Sequence, residues 1–161
     1  TTLGECVLDE VCKNIGYLKS LSLKHESLWI TVSISAAELE TPGFVSRINE
    51  RIKLYNVEPS LLRLAVGEWL LGRKNQKYAD NVFKLDETGA GLVLQDFGRA
   101  SFSLGCLYNL PLAMISTDAD VDKAAVVMKL VVDLAHNLGH EIAAKGVKSE
   151  KELKKEFSVF S

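Results

Sequence analysis

No stretch of this 161-residue chain approaches the ~20 consecutive apolar residues that a bilayer-spanning helix needs. Membrane insertion by this segment is therefore not expected. Cysteine is scarce: Cys6, Cys12 and Cys106 make an odd set without CxxC spacing. That argues against a disulfide framework or a thiolate metal site, and for free thiols in a reducing cytoplasm. Neither sign of charge dominates: 19 Lys and Arg stand against 21 Asp and Glu, a formal net charge of −2. Such a balance gives no electrostatic reason for nucleic acid or an anionic membrane as partner. The opening Thr1-Thr2-Leu3-Gly4-Glu5 lacks the basic start and apolar core of a signal peptide. With only three prolines and no low-complexity run, no linker divides the chain. An apolar fraction of 47% is enough for one domain, residues 1–161, with a sizeable core.

What is present is an alternation of two periodicities. Leu3, Val7, Leu8, Val11, Cys12, Ile15 and Leu18 recur at helical spacing, predicting an amphipathic helix over 3–23. LWITVSIS at 28–35 is β-branched and reads as a strand. Thr41-Pro42 reads as a cap and first position of a helix to about Tyr55. Strands are expected at 61–66, 91–95, 113–117 and 141–144. Helices are expected at 75–87, with Tyr78, Val82, Phe83 and Leu85 inward, at 103–110, at 120–138 and from Ser149 onward. Strands alternating with helices imply parallel β/α units. The fold class is α/β, a partial or modified TIM-like barrel: five strands do not close a barrel of eight.

The most informative stretch is LVLQDFGRASFSLGCLYNLP, residues 92–111, a strand, a polar turn and a helix leading to a second apolar run. It resembles the EAL family, the cyclic di-GMP phosphodiesterases, whose equivalent strand ends in two aspartates before Phe-Gly and then Thr-Gly-Tyr-Ser-Ser-Leu. Here those positions hold Gln95-Asp96-Phe97-Gly98 and Arg99-Ala100. The resemblance runs from the first helix through KGVKSEKEL. It implies a modified barrel of which this chain holds the central part, without the family's first and last strands. A fragment, a shortened relative and flanking strands outside the sequence all fit that reading.

The resemblance also implies a site at the strand C-termini, where family members hold divalent cations with carboxylates and an asparagine. Carried onto this chain, the asparagine falls on Ser33, and the following Ala-Arg-Gln becomes Ala36-Ala37-Glu38, so the arginine is replaced by Ala37. The ligand glutamate of the Glu-x-Thr-Glu strand falls on Ala65 in Ala65-Val66-Gly67-Glu68. The aspartate pair is Gln95 and Asp96, the lysine is Ser116, and Glu-Gly-Val-Glu is Lys145-Gly146-Val147-Lys148. Among the metal and proton-transfer positions that can be placed, only Asp96 keeps its type. The expectation is therefore a degenerate site with no metal, no cofactor and no catalytic residue. The chain is read as a non-enzymatic, cytoplasmic regulatory domain in bacterial signalling, acting through a protein partner or as a homodimer. Two alternatives stay open: a receptor that binds cyclic di-GMP without cutting it, and a weak phosphodiesterase.

Other motifs read more simply. Asp96-Phe97-Gly98 is also the kinase metal tripeptide, but no Gly-rich or His-Arg-Asp loop accompanies it. His136 and His140 stand four apart, yet Gly139 falls between them and no HExxH is present. Asp118, Asp120 and Asp122 lack the Gly and Glu of a calcium loop. Ser33 and Ser35 have no visible His/Asp partners for nucleophilic chemistry. Lys148, Lys151, Lys154 and Lys155 interleave with glutamates, as on a solvated helix face.

Overall fold

The computed structural model describes residues 3–21, 28–70, 76–98, 105–118 and 125–150. Five parallel strands form one sheet in strictly sequential order: β1 (Ile30–Ser33), β2 (Leu62–Gly67), β3 (Gly91–Gln95), β4 (Leu112–Asp118) and β5 (Glu141–Lys145). Every adjacent pair is parallel. The helices are α1 (Leu3–Leu21), α2 (Ala36–Glu40), α3 (Phe44–Leu54), α4 (Gln76–Asp86), α5 (Gly105–Tyr108) and α6 (Ala125–Asn137), with 3-10 turns at Pro59–Leu61 and Glu68–Leu70. The α/β reading of the sequence is borne out. The expected C-terminal helix lies outside the described residues.

The sheet has two faces because successive strand side chains alternate. Val32, Leu62, Leu64, Val66, Leu92, Leu94, Leu112 and Ile115 belong to the main core, under the helices. Leu8, Cys12 and Ile15 of α1, Ile48 and Ile52 of α3, Val82 and Leu85 of α4, and Val131 and Ala135 of α6 close it. Their spacing of three and four residues is what a helix needs to present one apolar stripe. Ala65, Val93 and Met114 form a second, smaller cluster with Trp29 and Ala143.

Two local expectations need correction. Thr41-Pro42 does not open a helix: Thr41 closes α2, its N–H donating to the Glu38 carbonyl, and α3 starts after Gly43 at φ +75°. The true start signal is Ser35-x-x-Glu38. Ser35 Oγ accepts from the Glu38 N–H while the Glu38 carboxylate accepts from the Ser35 N–H, a reciprocal capping box. Phe83 is not inward; it is among the exposed large apolar residues. Gly139, at φ +78°, ends α6 as its position in the sequence suggests.

Candidate functional site at the C-terminal strand ends

Parallel β/α sheets gather their strand C-termini at one rim, and side chains there converge. Ser33 is the last residue of β1, Gln95 of β3 and Lys145 of β5, and Asp96 follows β3 directly. Ala65 and Ser116 each stand two residues before the end of their strand. Two pairs of these positions meet. Ser33 Oγ donates to Gln95 Oε1 at 3.3 Å, across β2. Lys145 Nζ stands 3.6 Å from Asp96 Oδ1, both side chains about half exposed. Ser33 is in register with Ala65, and Ser116 with Ala143. Ser116 is 2% exposed, and its Oγ meets no hydrogen-bond partner among the described residues. Ala37 lies exposed in the first turn of α2, and Lys148 lies exposed just beyond β5.

The turn after β3 is built with unusual constraint. Asp96 adopts φ +57°, the left-handed region that non-glycine residues seldom enter, and Gly98 has φ +100°. Aspartate tolerates this better than most side chains, and the surroundings hold it there. The Phe97 N–H donates to the Ser116 carbonyl at 3.0 Å, and Thr117 Oγ1 donates to the Phe97 carbonyl at 3.1 Å. The Phe97 side chain is buried in the main core. Glu68, itself buried, accepts from the Gly98 N–H at 3.1 Å through Oε1. Glu68 is a residue the sequence reading passed over. Its signal was its place three residues after Ala65, at the end of the Ala65-Val66-Gly67-Glu68 motif. Beside it, Gly67 makes room for Trp69: a Cβ on Gly67 would stand 2.5 Å from the indole Cδ1 and Nε1.

Hard divalent cations take oxygen ligands, and two carboxylates stand at this rim, Asp96 directly after β3 and Glu68 directly after β2. Among its eight matched positions (Ser33, Ala37, Ala65, Gln95, Asp96, Ser116, Lys145 and Lys148) Asp96 is the one carboxylate. Its neighbour at 3.6 Å is an ammonium. Among the described residues no three His, Cys, Asp or Glu side chains gather closely enough to hold a metal ion.

A parallel β/α sheet with a polar rim at its strand C-termini is the architecture of barrel-type domains that bind or transform small molecules. The chain belongs to the EAL domain family, whose model matches residues 1–156. It is 31% identical over 156 residues to the bifunctional diguanylate cyclase/cyclic di-GMP phosphodiesterase MucR of Pseudomonas aeruginosa, covering 92% of this chain and 22% of that protein. It is 27% identical over 129 residues to the cyclic di-GMP phosphodiesterase PA2567 of the same organism, covering 76% of this chain and 22% of that protein. The chain thus spans about a fifth of these relatives' length. The solved PaMucR phosphodiesterase in complex with c-di-GMP superposes with a TM-score of 0.86 at 28% identity, over 98% of this chain and 66% of that one. The EAL domain of Mycobacterium smegmatis DcpA matches the fold at 20% identity, with a TM-score of 0.85 over 98% of this chain and 73% of that one.

These findings bear out the resemblance and correct one expectation drawn from it. The substituted rim suggested that the chain is not an enzyme. The family is usually one of cyclic di-GMP phosphodiesterases, and the matched relatives bear that activity in their names. Family membership points to an enzyme, and substitution at matched positions does not by itself show a dead site. No helix of the described residues is long and apolar enough to cross a membrane.

Proposed function

We propose that this EAL domain works on cyclic di-GMP, taking the nucleotide at the C-terminal rim of its sheet, within bacterial signalling. The observation that carries the reading is the set of polar groups at that rim: Ser33 with Gln95, Lys145 with Asp96, and the buried, unpartnered Ser116 hydroxyl. A buried hydroxyl without a partner costs about 1–3 kcal/mol, and a ligand or water oxygen at the rim would offset that cost. Lys145 supplies a positive charge for a phosphate, and Gln95 supplies an amide for a polar base edge. The resemblance to the c-di-GMP-bound PaMucR phosphodiesterase supports the same ligand.

The test is a calorimetric titration with cyclic di-GMP, run with magnesium, with manganese and with chelator, followed by chromatography for the linear dinucleotide. Saturable binding weakened by Lys145→Gln, with linear product in a cation-containing arm, is the expected result. Absence of binding in all three arms overturns it.

A second reading is that the domain also contacts a protein or a second copy of itself. It is favoured by an apolar groove of about 390 Å³ beside β1, lined by Cys6, Val7, Glu10, Val11, Asn14 and Ile30. Val7 is 44% exposed there.

A further inference from the structure

At the N-terminal end of the sheet, opposite the rim, Arg63 is buried although it is charged. It stands on β2, and its Nη1 donates to Glu141 Oε2 on β5 at 2.7 Å. Strands β3 and β4 lie between them. Neighbouring strands are about 4.8 Å apart, so the pair bridges three spacings, about 14 Å along the sheet. Two features let the side chain lie across that span. Gly91, its register partner on β3, has no Cβ; one placed there would stand 3.3 Å from Arg63 Cγ and 3.1 Å from Ala113 Cβ. The guanidinium also stacks on Trp29, 3.7 Å from the ring centroid, ahead of β1. One side chain thereby ties the β1 side, β2 and β5 together over the small cluster of Ala65, Val93 and Met114.

We propose that Arg63 is a positioning residue. Its chord to Glu141, buttressed by Trp29, fixes the curvature of the sheet and so holds the Ser33–Gln95 and Asp96–Lys145 pairs at their separations at the far end. A flat sheet would spread β1, β3 and β5 and open both contacts, since each crosses an intervening strand. A buried Arg paired across the sheet is a better strut than lysine, because its planar fork fixes direction as well as distance. The inference concerns the shape of the rim and does not depend on which ligand the rim takes.

The test uses the full chain, labelled with ¹⁵N, and reads the backbone amides of Ser33, Gln95, Asp96 and Lys145. Gln95, Asp96 and Lys145 stand about 13 Å or more along their strands from the chord, beyond direct influence of a local side-chain change, and these three decide the test; Ser33, two residues past the register partner of Arg63, stands only about 7 Å away. Arg63→Met and Glu141→Ala each remove the chord. Arg63→Glu combined with Glu141→Arg reverses it. The single variants are expected to lower Tm by about 3–10 °C and to move the four rim amides well beyond their line widths. The exchange variant is expected to return them toward their original positions. Lower Tm with unmoved rim amides would make the pair merely structural and overturn the proposal. So would shifted amides that the exchange leaves shifted. Glu141 is largely exposed, so Glu141→Ala carries the test if Arg63→Met does not fold.

Discussion

Gly67 shows how much can rest on one missing carbon. It ends β2 in register with Gln95, and the Trp69 indole occupies the space its Cβ would take. Gly67→Ala must push the ring aside. The expected cost is about 1–3 kcal/mol, visible as a lower urea midpoint at constant slope and a shifted tryptophan emission. Cys12 is informative for another reason. It is 1% exposed, and burial pushes its thiol above the ordinary value of 9.0, against a smaller opposing pull from Arg51 and ahead of a small further push from Asp9. Because the folded-state value is raised, the stabilisation is intact below the unfolded value and is lost as pH rises through the folded one. Stability should therefore fall above about pH 9. A thiol reagent at pH 8 should modify exposed Cys6 while native Cys12 stays protected until denaturant is added.

At the scale of elements, the turn after β3 depends on the first residue of the turn after β2, Glu68. Glu68→Ala leaves the Gly98 N–H without its protein acceptor; Gly98 is exposed and water can take that place, so the net loss is about 0.5–1.5 kcal/mol. Faster hydrogen exchange at Gly98 is the expected signature, with Phe97 remaining protected by Ser116 and the core. The strands and long helices were readable because their periodicities are strong: Leu62, Leu64 and Val66 fill one face, and Leu8, Cys12 and Ile15 fill one stripe. Helix α2 was not, because five residues offer too short a window for a helical period, although Ser35 and Glu38 carried its cap in plain view. Thr41-Pro42 imitated a helix start while serving as a helix stop. Of the rim, position along the strands was legible, but pairing was not. Nothing in local sequence tells that Ser33 reaches Gln95, 62 residues on, or that Arg63 reaches Glu141. Glu68 was marked by its place at the end of the Ala65-Val66-Gly67-Glu68 motif, but its partner, a backbone amide, leaves no mark in the sequence.

For the molecule as a whole, the α1 groove predicts association. Leu8, Cys12 and Ile15 are spent on the core, and α1 is clasped to α3 by Arg51 with Asp9 at 2.7 Å and Arg47 with Glu5 at 3.0 Å. Its other apolar side chains, Val7 and Val11, face the groove. If that face meets a second copy, light scattering at micromolar concentration will show concentration-dependent mass, and Val7→Glu will reduce it to the monomer value. A monomeric mass at every concentration in both proteins would exclude self-association through this face.

The strictly sequential strand order has a consequence for how the protein is made. Each strand pairs with the one synthesised just before it, and no later segment has to be threaded between earlier ones. As the chain leaves the ribosome, each new β/α unit finds its docking edge already assembled, so ordering can keep pace with translation. The Arg63–Glu141 chord reaches further, closing over 78 residues. It can form only after the fifth strand has emerged, which makes it a late fastening on a sheet grown one strand at a time.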